Sequence, residues 1–221
     1  MDRRSFLLGS LAWTASVFGE PPEQWTAGKD YVSLPSTARS ISARSGTIEV
    51  TEVFAYNCIH CYRFESYLQE WLSHQSDHVK FRRVPAIWHD RRPYARLYYT
   101  LQILKRGELD HSVFEAIHQE HSLPTQNQDE IAPALVKFAE GHSIARDKFL
   151  DVYNSSAVQA GVEESLRLME VYQITETPSI VVNGRYMTNP SYLEGKSRNT
   201  EEAVFHALMD LTSDLVAREA A

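Results

Sequence analysis

The stretch FAYNCIHCYRFE, residues 54–65, holds both cysteines of this 221-residue chain, Cys58 and Cys61, separated by Ile59 and His60. The run leading into it, GTIEVTEVFAY (residues 46–56), is rich in β-branched and aromatic residues. It carries apolar side chains at both parities, as a strand buried on both faces does. Beyond the pair, Cys61, Phe64, Tyr67, Leu68, Trp71 and Leu72 recur at the i, i+3, i+4, i+7 spacing of a helix. A strand therefore stops at Asn57 and feeds directly into a helix at the cysteines.

Three roles compete for such a pair. A structural disulfide stabilises by restricting the unfolded chain, and a bridge across two intervening residues restrains almost nothing. Zinc needs about four ligands, and no second Cys or His pair completes the set; His118 and His121 read as a solvated helix end. Redox exchange fits better. Cysteines at i and i+3 in the first turn of a helix lie on one face with Cα atoms roughly 5 Å apart, within reach of a disulfide. Cys58 would sit at the helix N-terminus, where unpaired N–H groups and the helix dipole favour a thiolate, making it the attacking sulfur. Cys61, one turn deeper, loses solvent and becomes the resolving thiol. A favoured Cys58 thiolate stabilises the reduced form, so the disulfide is oxidising. His60 is placed to donate to the Cys58 sulfur and to add positive charge.

Outward from this point, GKDYVSLPS supplies a short strand ended by Pro35, and HVKFRRVPAIW a second one ended near Pro85. From about Pro93 to Tyr172 the pattern is helical almost throughout. One stripe runs Tyr94, Leu97, Tyr98, Leu101, Leu104 and ends at Gly107; a second runs Ile131, Leu135, Phe138 and ends at Gly141; Phe149, Val152 and Tyr153 make a third; Val162, Leu166, Met169 and Tyr172 a fourth. TPSIVVNGRYM then gives two short apolar runs around Asn183-Gly184, a strong hairpin signal. RNTEEAVFHALMDLTSDLV closes with a helix capped by Asn199 or Thr200. The order predicts one α/β domain interrupted by a helical insertion.

The formal net charge of −7 argues against nucleic acid as a partner. The pairs Arg82–Arg83 and Arg91–Arg92 read as solvated faces. No apolar run reaches the eighteen or so residues of a membrane helix. Residues 1–19 read as a targeting segment, with Arg3 and Arg4 before an apolar stretch from Phe6 to Phe18. The order Arg-Arg-x-Phe-Leu resembles the twin-arginine export signal, and an ordinary secretory signal shares its layout. If retained, the segment would anchor the protein to a membrane.

These motifs together resemble the thioredoxin-fold oxidoreductases, and within them the DsbA-type periplasmic dithiol oxidases. The resemblance rests on WTAGKDYVSLPS, VTEVFAYNCIHCYRFE, the inserted helical block and TETPSIVVNGRYMTNP, and covers nearly the whole chain after residue 19. It implies a thioredoxin fold with a large helical insertion: a first thioredoxin-like part over 26–87, the insertion over 88–160 and a second part over 161–221. It implies that Pro178 is cis and packs against the cysteine pair, with Thr177 offering its backbone to a bound substrate strand. Glu52 matches a buried family glutamate, and Arg83 a basic residue beside it. A carboxylate within IEVTEVFAY is expected to be desolvated, with a raised pKa, and placed to exchange a proton with Cys61. The sequence departs from the family in carrying Ile59-His60 where the usual pair is Pro-His.

The implied activity is donation of disulfides to exported proteins through a mixed disulfide at Cys58 resolved by Cys61, without metal or cofactor. The implied partners are unfolded cysteine-containing chains and a DsbB-like membrane protein that reoxidises the pair, in the periplasm. A disulfide isomerase or reductase on the same fold, and a peptide-binding chaperone module with incidental cysteines, are the alternatives. A kappa-type glutathione transferase shares the inserted fold but usually replaces the C-x-x-C.

Overall fold

The computed structural model describes residues 25–38, 46–88, 92–195 and 198–220. The targeting segment predicted over residues 1–19, and Arg91, lie outside them. Strands β1 (Val32–Ser33), β2 (Ile48–Phe54), β3 (Val79–Pro85), β4 (Ser179–Val182) and β5 (Tyr186–Thr188) form one sheet in the order β1-β5-β4-β2-β3. β2 and β3 are parallel, joined by helix α1 (Ile59–Ser73) as a crossover, and the other pairings are antiparallel. Between β3 and β4 come α2 (Arg92–Ile103), a 3₁₀ turn at Gly107–Leu109, α3 (Asp110–His118), α4 (Gln128–Gly141), α5 (Arg146–Tyr153) and α6 (Ser156–Val171). The chain ends with α7 (Pro190–Leu193) and α8 (Glu201–Ala220). This is the α/β thioredoxin fold with a helical insertion that the sequence predicts.

β2 is buried along nearly its whole length, as its double parity requires. Ile48 and Val50 pack on one face with Phe64 and Leu68 of α1 and Phe205 and Leu208 of α8. Val53 packs on the other face with Val162 and Leu168 of α6. The insertion builds its own core around Leu97, Leu101, Phe114, Leu135 and Phe149, and Phe54 and Cys61 reach into it. The residues flanking the cysteine pair thus belong to both cores.

The hairpin turns on Asn183 (φ 54°) and Gly184 (φ 60°), with the Arg185 N–H donating to the Val182 carbonyl at 2.9 Å, the left-handed pair of a type I′ turn. The Thr200 hydroxyl caps α8 by accepting from the Ala203 N–H at 3.2 Å. Two expectations fail among the helices between β3 and β4. Leu166 is 37% exposed, because the buried face of α6 runs through Val158, Val162, Ser165 and Met169. His118 is no solvated helix end: its Nε2 lies 2.8 Å from the Tyr56 carbonyl oxygen and its ring stacks on Tyr62 at 5.2 Å.

α2 and α6 approach closely at Gly161, where an added Cβ would lie 2.7 Å from the Cγ and Cδ1 atoms of the Tyr99 ring. These atoms sit at the base of a ring whose hydroxyl is tied to Ser165 at 2.7 Å, so the ring cannot swing clear without losing that bond. Gly161→Ala is expected to destabilise by about 1–3 kcal/mol, despite alanine's better helix propensity, through overpacking. A urea midpoint that rises instead would show that the helices can part.

Candidate active site

The strand-to-helix junction places the two sulfurs in unlike surroundings. Cys58 occupies the N-cap of α1 with extended backbone (φ −92°, ψ 116°) and is partly exposed, whereas Cys61, one turn on, is fully buried; neither is bridged. The Cys58 thiol is pulled down from its ordinary 9.0 to about 5. The largest cause is a hydrogen bond from the Cys61 thiol, opposed by partial burial and reinforced by the Thr177 side chain and the backbone N–H groups of Cys61 and His60. In its neutral form the Cys58 thiol donates to the Thr177 carbonyl at 3.3 Å. Burial drives the Cys61 thiol well above its usual value, and the neighbouring Cys58 and Glu52 charges push the same way. One sulfur is poised to be an anion and the other a neutral thiol.

His60 departs from expectation. Its ring is exposed and turned to α8, with Nδ1 at 2.5 Å from Glu201 Oε1, while Arg63 holds the other carboxylate oxygen at 3.1 Å. The residue faces the Cys58 sulfur with its backbone N–H, not with its imidazole, because the first-turn backbone points at the N-cap while the side chain points outward. The same geometry bears on Ile59. The donors that support the thiolate belong to residues 60 and 61, so the isoleucine leaves them in place.

The Thr177–Pro178 bond is cis and Pro178 is buried immediately before β4. Thr177, 119 residues along the chain from Cys58, meets its sulfur through the backbone carbonyl. The loop is held by Glu176, whose carboxylate accepts from the Ser191 hydroxyl at 2.7 Å and whose carbonyl accepts from the Ser179 hydroxyl at 2.8 Å.

Beneath the cysteines lies a buried charged cluster. Glu52 shares the β2 face of Ile48 and Val50, which is the α1 side, and is fully buried. The parallel register pairs it with Arg83 of β3, whose Nε donates to Glu52 Oε2 at 2.7 Å. The solvated-face reading of Arg83 therefore fails: its side chain is 7% exposed, because strand pairing carries it inside. Arg82 is at the surface by comparison, 3.3 Å from Glu49. Burial raises Glu52 to about 6, with Arg83 holding it down and Glu65 pushing it up.

Glu65 and Asp110 escaped the sequence reading. Glu65 stands four residues after Cys61 on the buried face of α1 and accepts from Arg83 at 2.7 Å. That i+4 spacing was the available signal. Asp110 opens α3, 3.7 Å from Arg83, and accepts from the Tyr56 hydroxyl. No local pattern marks it, since both partners come from distant elements.

A family model described as "Thioredoxin" matches residues 39–200. The chain is 34% identical over 190 residues to the thiol:disulfide interchange protein DsbA of Burkholderia cepacia, covering 85% of this chain and 87% of the relative. It is likewise 34% identical to the DsbA of Pseudomonas aeruginosa (83% and 85% covered). Among solved structures, oxidoreductase DsbA from Xylella fastidiosa superposes with a TM-score of 0.73 at 32% identity over 87% of this chain and 96% of that one. Pseudomonas aeruginosa DsbA gives 0.72 at 30% identity over 89% and 97%.

Proposed function

The chain belongs to the thioredoxin-fold family of DsbA-type thiol:disulfide oxidoreductases, and on that footing we propose that it donates disulfides to cysteine-containing exported polypeptides through Cys58. The observation that carries this is the asymmetry of the two sulfurs: a partly exposed thiol that favours its anion beside a buried one that favours its proton. A stabilised Cys58 thiolate makes the dithiol the comfortable state and the disulfide the reactive one.

In the oxidising direction a substrate thiolate attacks the Cys58 sulfur, the Cys58–Cys61 bond breaks, and Cys61 leaves with the electron pair. Buried Cys61 cannot hold that charge, and Glu52 supplies the proton, becoming a carboxylate. The second substrate thiolate attacks the substrate sulfur of the mixed disulfide. Cys58 leaves as its favoured thiolate, and the substrate departs with its new disulfide. Reoxidation runs the other way: Cys58 attacks an oxidant's disulfide, Glu52 takes the Cys61 proton, and Cys61 resolves that mixed disulfide. A DsbB-like membrane protein fits the oxidant's part. The resolving role of Cys61 thus belongs to the reoxidation half.

The cis loop supports substrate placement. Thr177 presents its carbonyl at the reacting sulfur, where an extended peptide could pair by strand addition, and Pro178, lacking an N–H, leaves that edge open. For the compartment, the support is the family and the targeting pattern of residues 1–19; no helix among the described residues is long and apolar enough to cross a membrane.

The reading is tested by alkylating the reduced protein with iodoacetamide across pH. Cys58 should react with a half-maximal rate near pH 5, far below an ordinary thiol, and equilibration with glutathione should leave the pair mostly reduced. A Cys58 that titrates near 9, or a pair resting as the disulfide in reducing glutathione, would overturn it in favour of a reductase.

A further inference from the structure

Taking Glu52 as the proton partner of Cys61, we infer that Asp110, contributed by the inserted helix α3, is the positioning residue that keeps Glu52 able to carry that proton. Arg83 addresses three carboxylates with three different nitrogens: Nε to Glu52 at 2.7 Å, one terminal nitrogen to Glu65 at 2.7 Å, and the other to Asp110 at 3.7 Å. Side-chain exposures are 1%, 10% and 11% for the acids and 7% for the arginine. One cation cannot neutralise three buried anions, so the cluster favours holding a proton.

Which acid carries the proton is decided by what else each one touches. Asp110 accepts the Tyr56 hydroxyl in addition to its pairing with Arg83, and Glu65 takes a short bond from Arg83 and another from Gln69 at 3.3 Å. Burial pushes Asp110 up to about 6 as well, with the Tyr56 hydroxyl and Arg83 holding it down. Glu52 receives one bond, to Oε2, and its Oε1 has no hydrogen-bond partner. A proton placed there relieves the repulsion without breaking any bond. Charged and titratable groups face Glu52 from every side: Arg83 from β3, Cys61 and Glu65 from α1, Asp110 from α3, and the Tyr98 hydroxyl from α2.

Asp110 also places the cluster next to water. A cleft of about 550 Å³ between α1 and the start of α3 is lined by Glu65, Arg83 and Asp110 together with Tyr62 and His111, whereas Glu52 and Cys61 do not line it. Glu65 and Asp110 stand beside the cleft, whereas Glu52, the acid that exchanges a proton with sulfur, is shut away from it. The inserted domain, and not only the thioredoxin core, thereby sets the proton inventory of the buried cysteine.

The test uses the disulfide form of the full chain oxidising a dithiol peptide, with the rate divided by the peptide's thiolate fraction and plotted against pH. The corrected rate should fall as pH rises and Glu52 loses its proton. In Asp110→Asn the midpoint of that fall should move down by about half a pH unit or more, as loss of a neighbouring like charge requires, and Asp110→Glu should restore it. Should the asparagine variant not fold, Tyr56→Phe, which removes only the hydroxyl donated to Asp110, should move the midpoint the same way by less. An unmoved or raised midpoint in a folded variant overturns the inference if Glu52→Gln abolishes the fall. If Glu52→Gln leaves the fall intact, the Glu52 assignment and the inference both fail.

Discussion

Arg83→Met is expected to destabilise the fold by about 3–5 kcal/mol at pH 8, the range for stripping one partner from a buried ion pair. Methionine roughly fills the space but leaves Glu52, Glu65 and Asp110 facing one another with no cation. Even with Arg83 present, burial holds Glu52 and Asp110 up at about 6. Without it they rise further. A carboxyl whose folded pKa lies above its unfolded value stabilises the fold fully below the unfolded value, and that stability is lost as pH rises through the folded value. The deficit should therefore be smallest near pH 3, below the ordinary values of 4.5 and 3.8 where Glu52 and Asp110 are protonated in both states, and complete above pH 7–8. Urea unfolding at the two ends of that window measures it. An equal deficit at both would assign the loss to packing, since the guanidinium also lies 5.4 Å from the centre of the Phe54 ring and 5.8 Å from that of Phe81.

The second large effect is on the redox forms themselves. The dithiol protein should be more stable than the disulfide protein at pH 7 by about 2 kcal/mol once the partial exposure of Cys58 is discounted, or roughly 4–8 °C in Tm. The sign follows from a folded Cys58 pKa of about 5 against 9.0 for an ordinary thiol. A depressed acid contributes stability that is complete above its unfolded pKa and lost as pH falls through its folded pKa. The advantage should accordingly grow from pH 5 towards pH 9 and disappear below about 5. The disulfide offers little in return, because the loop it closes has only two residues within it. Melting curves of both forms across pH provide the measurement, and a disulfide form that melts higher at pH 7 would mean that Cys58 is an ordinary thiol.

Parts of this site are legible in the sequence itself. The switch from a doubly buried strand to helical spacing at residue 58 located Cys58 at the helix N-cap, and the i, i+3 separation placed both cysteines on one face, since both are properties of neighbouring residues. Glu52 could be placed inside because it is embedded in an apolar run. Asn183-Gly184 gave its turn directly. Composition alone reads Arg83 as a solvated charge, because it registers charge and not strand pairing, whereas the resemblance puts it beside Glu52; the β2–β3 register, setting the two opposite each other, bears out the second reading. His60 was misjudged because its ring had a competitor, Glu201, 141 residues further along. His118 was misjudged because the Tyr56 carbonyl and the Tyr62 ring that receive it are far away in the chain.

The amino-acid sequence alone determined the α/β class, the helical insertion, the place where strand meets helix and the unequal depth of the two sulfurs, all of which follow from patterns a few residues long. The tertiary structure alone decided which distant groups meet beyond those the resemblance implies: Glu201 at His60, and Tyr56 and Asp110 with Arg83 around the buried acid. Local periodicity fixes which face of an element turns inward. What waits on that face is set by strand register and helix docking, and the pKa values of buried groups depend on those neighbours.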